Sequence, residues 1–482
     1  MKSITNLFWN SVNGVILAIL SFIFTPLYSN LVGIENYALI NIWMISLVIA
    51  TVFDFGINLT INNIISNIQI NQIEKNKGFL YLEKKITLRV VGFFIISGIV
   101  SSLLYFVNFL SLDFLMFIIL IVFSAYMQLA FQFYVNVFLG LQLHKKVNTL
   151  NILINCSKYL IGFILLLFFD SLLVFFIFQA ILSLFQCVLL KFMVKSQLQI
   201  TNKNIQELPD YKMTKELKKY TKNLTILSFA SITLANLDRI WALIIDDLEF
   251  YGYYAIAFTG ASFIQLIIQP FYKTYFAKYS SYSKFDYNKL LQLFHSSSIM
   301  CNGLLTIASV NLFIYSEFLL KLWLGDIYTE AIQLNFLLIV FGITLSGFYW
   351  LPAAFMQAQR KPEFHNKMIL YSIFFSFIVL VTANITNLFN SPAYVWLVHG
   401  LILLIFESIH LHKKYHGFKI INWIVNGIII PLTIAITIGY LISTFEFKSI
   451  IVNIIQIVFS FIIPFALFLI ISHYNKNLQN AF

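Results

Sequence analysis

The chain has 482 residues, 60% of them hydrophobic and only 11% charged, with a mean hydropathy of +0.85. Soluble domains run at roughly 45–50% apolar and 25% charged residues, so a water-soluble enzyme or binding domain is excluded over most of the length. The formal net charge of +11 sits in short clusters between apolar segments, which is the pattern of membrane orientation and lipid contact and not of a nucleic-acid groove.

An apolar run of about 20 residues crosses a hydrocarbon layer roughly 30 Å thick. Fourteen segments qualify: 6–32, 37–65, 86–108, 112–138, 148–169, 171–193, 223–245, 251–273, 290–316, 331–356, 367–387, 393–411, 420–444 and 447–472. The first apolar run begins at Ile4 and passes Leu27 without an Ala-x-Ala-like cleavage site, so it reads as a retained helix and not as a signal peptide. It carries Asn6, Asn10 and Asn13 near one end and Pro26, a potential bend, near the other.

The second span contains Asp54 in the stretch FDFGINLTINN, 53–63, where Gly56 supplies a flexible point. A titratable carboxylate beside a bend is a candidate for coupling or gating. The fourth span places Gln128, Gln132 and Asn136 at i, i+4 and i+8, and the fifth places Asn148, Asn151, Asn155 and Lys158 on one helical face. The fifth-span stripe reads as a wall of an aqueous cavity, whereas the fourth-span series and the first-span asparagines, each alone, read at least as well as helix–helix glue. Together they predict a polar space enclosed by the first half and open at its inner end.

In the seventh span, Asp238 and Arg239 stand side by side within SITLANLDRIWALIID, 231–246. A charge at the centre of a membrane helix costs about 2.5–3.5 kcal/mol on insertion scales, so such residues face a bundle interior, a wet cavity or each other. Adjacent helix positions point about 100° apart, which favours separate partners. Pro270 is a second potential bend, in the eighth span, and Glu407 lies near an inner boundary, where it reads as snorkelling toward water.

Charge placement orients the chain. With both termini cytoplasmic, 27 of the 31 basic residues fall on inner connections or beside them, and only Lys321 and Lys448 fall outside, leaving Lys158 and Arg239 within spans. The division that follows is an N-terminal six-helix bundle over 1–194, a cytoplasmic linker over 195–222, a C-terminal six-helix bundle over 223–411 and a terminal two-helix extension over 412–482. NYALINIW at 36–43 and GYYAIAFT at 252–259 open the second and eighth spans alike, a faint sign of two related halves. The fold class is therefore all-α and polytopic, with about 14 transmembrane helices.

Catalytic and cofactor signatures are missing from the sequence. There is no G-x-x-x-x-G-K-[ST], H-E-x-x-H or G-x-S-x-G, and Cys156, Cys187 and Cys301 show no CxxC or Cys/His spacing. The longest outer connection, 317–330, is short for a membrane glycosyltransferase or polymerase. No enzyme activity, metal site or cofactor is expected.

Four stretches, TPLYSNLVGIENYALINIWMISLVIATVFDFGINLTINNIIS (25–66), FLGLQLHKKVNTLNIL (138–153), NLDRIWALIIDDLEFYGYYAIAF (236–258) and LLKLWLGD (319–326), resemble bacterial polysaccharide-unit flippases of the multidrug/oligosaccharidyl-lipid/polysaccharide exporter superfamily. The resemblance implies two six-helix bundles around a central cavity, alternating access, and an undecaprenyl-diphosphate-linked oligosaccharide carried to the outer leaflet of the bacterial inner membrane for O-antigen, capsule or related lipopolysaccharide assembly. It also implies membrane lipids, a glycan polymerase and glycosyltransferases as partners, with no nucleic acid. Asp238 and Arg239 take the family's Asp-Arg pair and Asp54 its D-x-G aspartate, whereas Asn30 and Asn62 or Asn63 stand where many relatives have basic residues. The expected substrate-binding set is Arg239, Lys158, Gln128, Gln132, Asn151 and Asn155. Asp54, Asp238, Gly56 and Pro26 form the coupling or gating set, with H+ or Na+ as the ion. Rival readings are a cation-coupled drug or organic-cation antiporter, a lipid II flippase, and a non-transporting scaffold for glycan assembly.

Overall fold

The computed structural model describes residues 2–66, 72–106, 112–199, 229–245, 247–282, 287–359, 363–386, 391–415, 419–445 and 449–481. Most of the 195–222 connection lies outside the described residues, as does the start of the seventh span. All regular structure among the described residues is helical, as expected where hydrocarbon offers no partner to backbone N–H and C=O groups and each must be satisfied within its own segment. Eleven of these helices are long and apolar enough to cross a membrane, or twelve when one bent pair is taken as a single span.

The chain divides into two compact units, Met1–Asn236 and Leu237–Phe482. The first contains α1 (Lys2–Val32), α2 (Ile34–Ile49), α3 (Ile57–Ser66), α4 (Gln72–Phe106), α5 (Leu112–Gly140), α6 (His144–Phe169) and α7 (Leu172–Gln197). Helix α8 (229–245) carries the boundary between the units. Helix α5 is the hub of the first unit, packing against α2, α3, α4 and α7, while α6 pairs with α1. Its apolar core joins Ile57 and Ile61 of α3, Phe79 of α4, Leu129 and Phe133 of α5, and Leu190 of α7.

Span 37–65 is broken. A short 3-10 turn, Ala50–Asp54, separates α2 from α3, and two consecutive residues, Phe55 at φ 47° and Gly56 at φ 74°, take left-handed backbone. Glycine accepts that geometry freely, whereas a bulky L-residue such as Phe does not. The break persists because it is pinned on both sides. The Asp54 carboxylate accepts from Gly56 N at 2.7 Å and Asn58 N at 3.2 Å, satisfying the free N–H groups where α3 begins. Arg89 of α4 donates to the Asp54 main-chain oxygen at 2.6 Å and lies over the Phe55 ring.

Span 86–108 begins earlier than its apolar stretch, because α4 starts at Gln72 and its polar first turns remain helical. Glu83 is thereby buried within the unit. Tyr134 of α5 donates to it at 2.9 Å, and Lys191 and Lys195 of α7 lie at 3.5 and 3.8 Å, so one carboxylate ties three helices.

The second unit contains α9 (Leu248–Ser262), α10 (Gln265–Tyr282), α11 (Tyr287–Ile314), α12 (Ser316–Leu324), α13 (Glu330–Gly347), α14 (Trp350–Ala358), α15 (Glu363–Thr386), α16 (Tyr394–Lys414), α17 (Ile420–Ser443) and α18 (Ile450–Ala481). The eighth span bends by 47° between α9 and α10. The bend falls just upstream of Leu266, whose carbonyl Pro270 deprives of its i+4 donor. Helices α13 and α16 approach closely, because a Cβ on Gly342 would come within 2.5 Å of Trp396 Cβ and one on Gly400 within 2.5 Å of Leu345 Cβ. Small residues permit such approaches where apolar burial gives no driving force between helices. The terminal helices α17 and α18 pack on α11 through Ile307, Val310, Ala435 and Phe468.

Candidate functional site

The first unit carries a half-open cavity of about 570 Å³. Its wall draws on α1, α2, α3, α5, α6, α7 and the turn at Asp54, and it includes Lys158, Asn155, Gln128, Gln132 and Asp54 among its lining residues. Five expected site residues from three separate sequence segments therefore meet in one place. Gly56 adjoins through its bond to Asp54. Pro26 stays inside continuous α1, where its carbonyl accepts from Asn30 Nδ2 at 2.9 Å. Tyr28, two residues on, lines the cavity and donates to the Tyr159 carbonyl at 2.8 Å.

Lys158 is the unusual member. It is 6% exposed, yet its Nζ makes no hydrogen bond or ion pair among the described residues. The group near it is the face of Trp43, 5.8 Å away. Burial without an ion pair is costly for a cation, so beyond the Trp43 face Lys158 is left to whatever occupies the cavity. Trp43 Nε1, Gln179 Oε1 and Asn58 Oδ1 have no hydrogen-bond partner among the described residues; their residues line the cavity, while these three atoms are sealed from it.

The amides divide by role. Asn148 and Asn151 donate across the α1–α6 interface to Asn10 and Asn13 at 2.6 and 3.1 Å. Asn151 is thus committed to helix contact and is not among the lining residues; Asn155 bonds to Asn151 and also reaches the cavity. The side chains of Asn6 and Asn63 lie outside the described ones. Gln128 accepts from Gln186 of α7 at 2.9 Å, and Gln179 of the same helix donates to the Lys158 carbonyl at 3.0 Å. The α7 stripe of Gln179, Ser183 and Gln186, all buried, carries the same helical spacing as the stripes on α5 and α6 and was the missed signal.

Asp238 and Arg239 belong to the second unit and do not line this cavity. Asp238 is fully buried, and one carboxylate oxygen accepts from both Tyr254 of α9 and Trp396 of α16 at 2.8 Å. Arg239 lies 4.0 Å from its other oxygen and 4.2 Å over the Phe258 ring. The close α13–α16 contact at Gly342 fixes Trp396 for this bond. Glu407 does not snorkel toward water. It is fully buried in a π-helical turn, Leu403–Glu407, with His365 of α15 at 3.1 Å, a partner that lies too far away in sequence to be anticipated.

No group of three or more His, Cys, Asp or Glu residues with metal-holding geometry occurs among the described residues.

The sequence profile of the polysaccharide biosynthesis protein family matches residues 3–276. The chain belongs to the polysaccharide biosynthesis protein family. The stretch matched to the family contains every residue that lines the cavity. Among solved structures, the chain is similar to a lipid II flippase, MurJ, in an inward closed conformation, with TM-score 0.71 and 16% identity over 97% of this chain and 99% of that one. It is also similar to an inward-facing multidrug resistance MATE family transporter of the MOP superfamily, with TM-score 0.58 and 12% identity over 80% and 91%. A MATE structure in the straight conformation gives 0.55 and 11% over 82% and 92%. At these identities the likeness establishes a shared fold. No curated protein sequence matches the chain. This member of the polysaccharide biosynthesis family is a multi-pass bacterial inner-membrane protein.

Proposed function

We propose that the chain translocates an undecaprenyl-diphosphate-linked oligosaccharide from the cytoplasmic to the outer leaflet by alternating access, without a covalent step. The observation that carries this reading is Lys158, a buried cation whose Nζ has no hydrogen bond or ion pair among the described residues, on the wall of a cavity also lined by Gln128, Gln132 and Asn155. An anionic, hydroxyl-bearing headgroup supplies Lys158 with a countercharge and the lining amides with hydrogen-bond partners, while the polyprenyl tail remains in lipid. The family membership supports a glycan cargo.

Fourteen spans follow when α2 and α3 are taken as one broken span, α9 and α10 as another, and α8 as a crossing in its own right. They are grouped as two six-helix bundles, 1–194 and 223–411, with the pair in 412–482 appended and both termini cytoplasmic. In this reading Asp54 and Asp238 act in coupling or gating and Arg239 as a second anion-facing group, with glycan polymerase and glycosyltransferases as partners.

Likeness to the lipid II flippase over nearly the whole of both chains favours one second reading, lipid II itself as cargo. An organic-cation antiporter is disfavoured at Lys158, whose charge has no ion pair among the described residues. Reconstitution of the full chain in vesicles with fluorescent lipid-linked oligosaccharide, lipid II and a fluorescent organic cation separates the three. Movement of the cation alone would sink the proposal.

A further inference from the structure

We infer that the first-unit cavity selects a first sugar with an apolar edge, a 6-deoxyhexose in preference to the fully hydroxylated hexose. The inference rests on the lipid-linked glycan reading above and adds a sugar class to it.

The wall is divided between helices. Helix α2 contributes Met44, Leu47 and Val48, at i, i+3 and i+4 on one face, and the next lining residue along the chain, Thr51, is the first to bring a hydroxyl. Helices α5 and α6 contribute the amides Gln128, Gln132 and Asn155. All six side chains keep accessible surface, since Val48 is 47% exposed and the other five are half-buried. An apolar strip and a set of amides are therefore both open to a passenger.

The strip belongs to the cavity and not to lipid alone. Tyr159 Oη of α6 reaches Met44 Sδ at 4.0 Å. Lys158 Nζ, on the same helix, lies 5.8 Å from the Trp43 ring, one turn before Leu47. Polar groups of α6 thus stand against the face of α2 that carries the strip.

A hexose carries hydroxyls around its whole rim. Those that meet Gln128, Gln132 or Asn155 find partners, because an amide both donates and accepts. Those that meet Met44, Leu47 and Val48 exchange water for carbon and lose their hydrogen bonds. Replacing the exocyclic CH2OH by CH3 turns that loss into apolar burial. Lys158 decides which sugar meets the strip. With the phosphate-bearing end of the cargo at Lys158, beside Trp43, the helix rises about 7.5 Å to Val48, roughly the reach of one sugar ring.

The test compares two synthetic undecaprenyl-diphosphate oligosaccharides in vesicles containing the full chain, identical except that the first sugar is a hexose in one and its 6-deoxy form in the other. Transbilayer movement of each is measured alone and in competition. The 6-deoxy cargo is expected to move about tenfold better, equivalent to about 1.4 kcal/mol. That is below the roughly hundredfold rejection of an added hydroxyl by a closed apolar pocket, because a half-open cavity leaves the hydroxyl partly in water. Val48→Thr and Met44→Gln, which change polarity with little change of shape, should each shrink the preference to within about twofold, whereas a mere difference in membrane partitioning would persist in both. Equal handling of the two cargoes, a preference for the hexose, or a preference that survives both substitutions overturns this inference and leaves the flippase reading standing. Movement of neither cargo overturns both.

Discussion

Asn148 Nδ2 donates to Asn10 Oδ1 at 2.6 Å, joining α6 to α1 across 138 residues of chain. One turn further along, Asn151 repeats the contact with Asn13. These amides are helix adhesive, and interhelical hydrogen bonds in membranes average about 0.6 kcal/mol. A double-mutant cycle with Asn10→Ala and Asn148→Ala should give a coupling energy of about that size in reversible unfolding from detergent micelles. Transport should stay within about twofold of the parent; a tenfold loss would assign these amides to the cargo.

Lys158→Met should move stability and transport in opposite directions. Removing a buried cation that has no ion pair among the described residues relieves a desolvation penalty, so the melting temperature should rise or hold. Translocation of lipid-linked oligosaccharide should fall at least about tenfold, the equivalent of 1.4 kcal/mol of lost cargo interaction. Lys158→Arg should retain part of the rate. A destabilised but fully active Lys158→Met protein would contradict the assignment.

At the break between α2 and α3, Gly56→Ala places a Cβ on backbone at φ 74° and should cost about 1–2 kcal/mol. Asp54→Ala removes the acceptor of two N–H groups and should cost about 1 kcal/mol as a lost helix cap. Asp54→Asn keeps an acceptor oxygen and should cost less. Denaturant titration in micelles reads the order of the three.

Asp238→Ala should be the most damaging of these substitutions. It strips Tyr254 and Trp396 of their acceptor and leaves Arg239 without its neighbouring carboxylate, and breaking a buried charge pair from one side costs about 3–5 kcal/mol. Asp238→Asn retains both hydrogen bonds and should fold. Size-exclusion profiles and melting curves distinguish the two.

Glu407→Cys, in a background where Cys156, Cys187 and Cys301 are replaced by Ala, should resist a membrane-impermeant thiol reagent applied from either side. Complete burial beside His365 predicts that protection. Rapid labelling from the cytoplasmic face would restore the snorkelling placement.

Sequence reading was strongest where a signal is local and periodic. Polar residues every three or four positions on an apolar helix identified Lys158, Asn155, Gln128 and Gln132, because only a shared interior makes such a stripe tolerable. Gln179, Ser183 and Gln186 obey the same rule and escaped only for want of a charged member to draw notice. Trp43 could not be singled out, since an aromatic ring in a membrane helix looks alike whether it faces lipid, core or cavity. The surroundings of Arg239 and Glu407 were not legible. They are built by Phe258, Trp396 and His365, partners set by helix packing, and no spacing in the sequence records them. The break at Phe55–Gly56 was legible as a glycine after an aspartate, whereas the left-handed Phe beside it was not.

The opposed charges of Lys158 and Asp54 have an electrical corollary. A lining whose formal charges cancel gives an anionic passenger no net countercharge, so the passenger's own charge would travel through the transmembrane field. Each negative charge carried outward across an interior-negative bilayer gains about 2.3 kcal/mol per 100 mV. Under the proposed cargo assignment, collapsing the voltage with an ionophore should therefore slow outward movement more than collapsing a pH gradient of equal energy, and turnover should register as current.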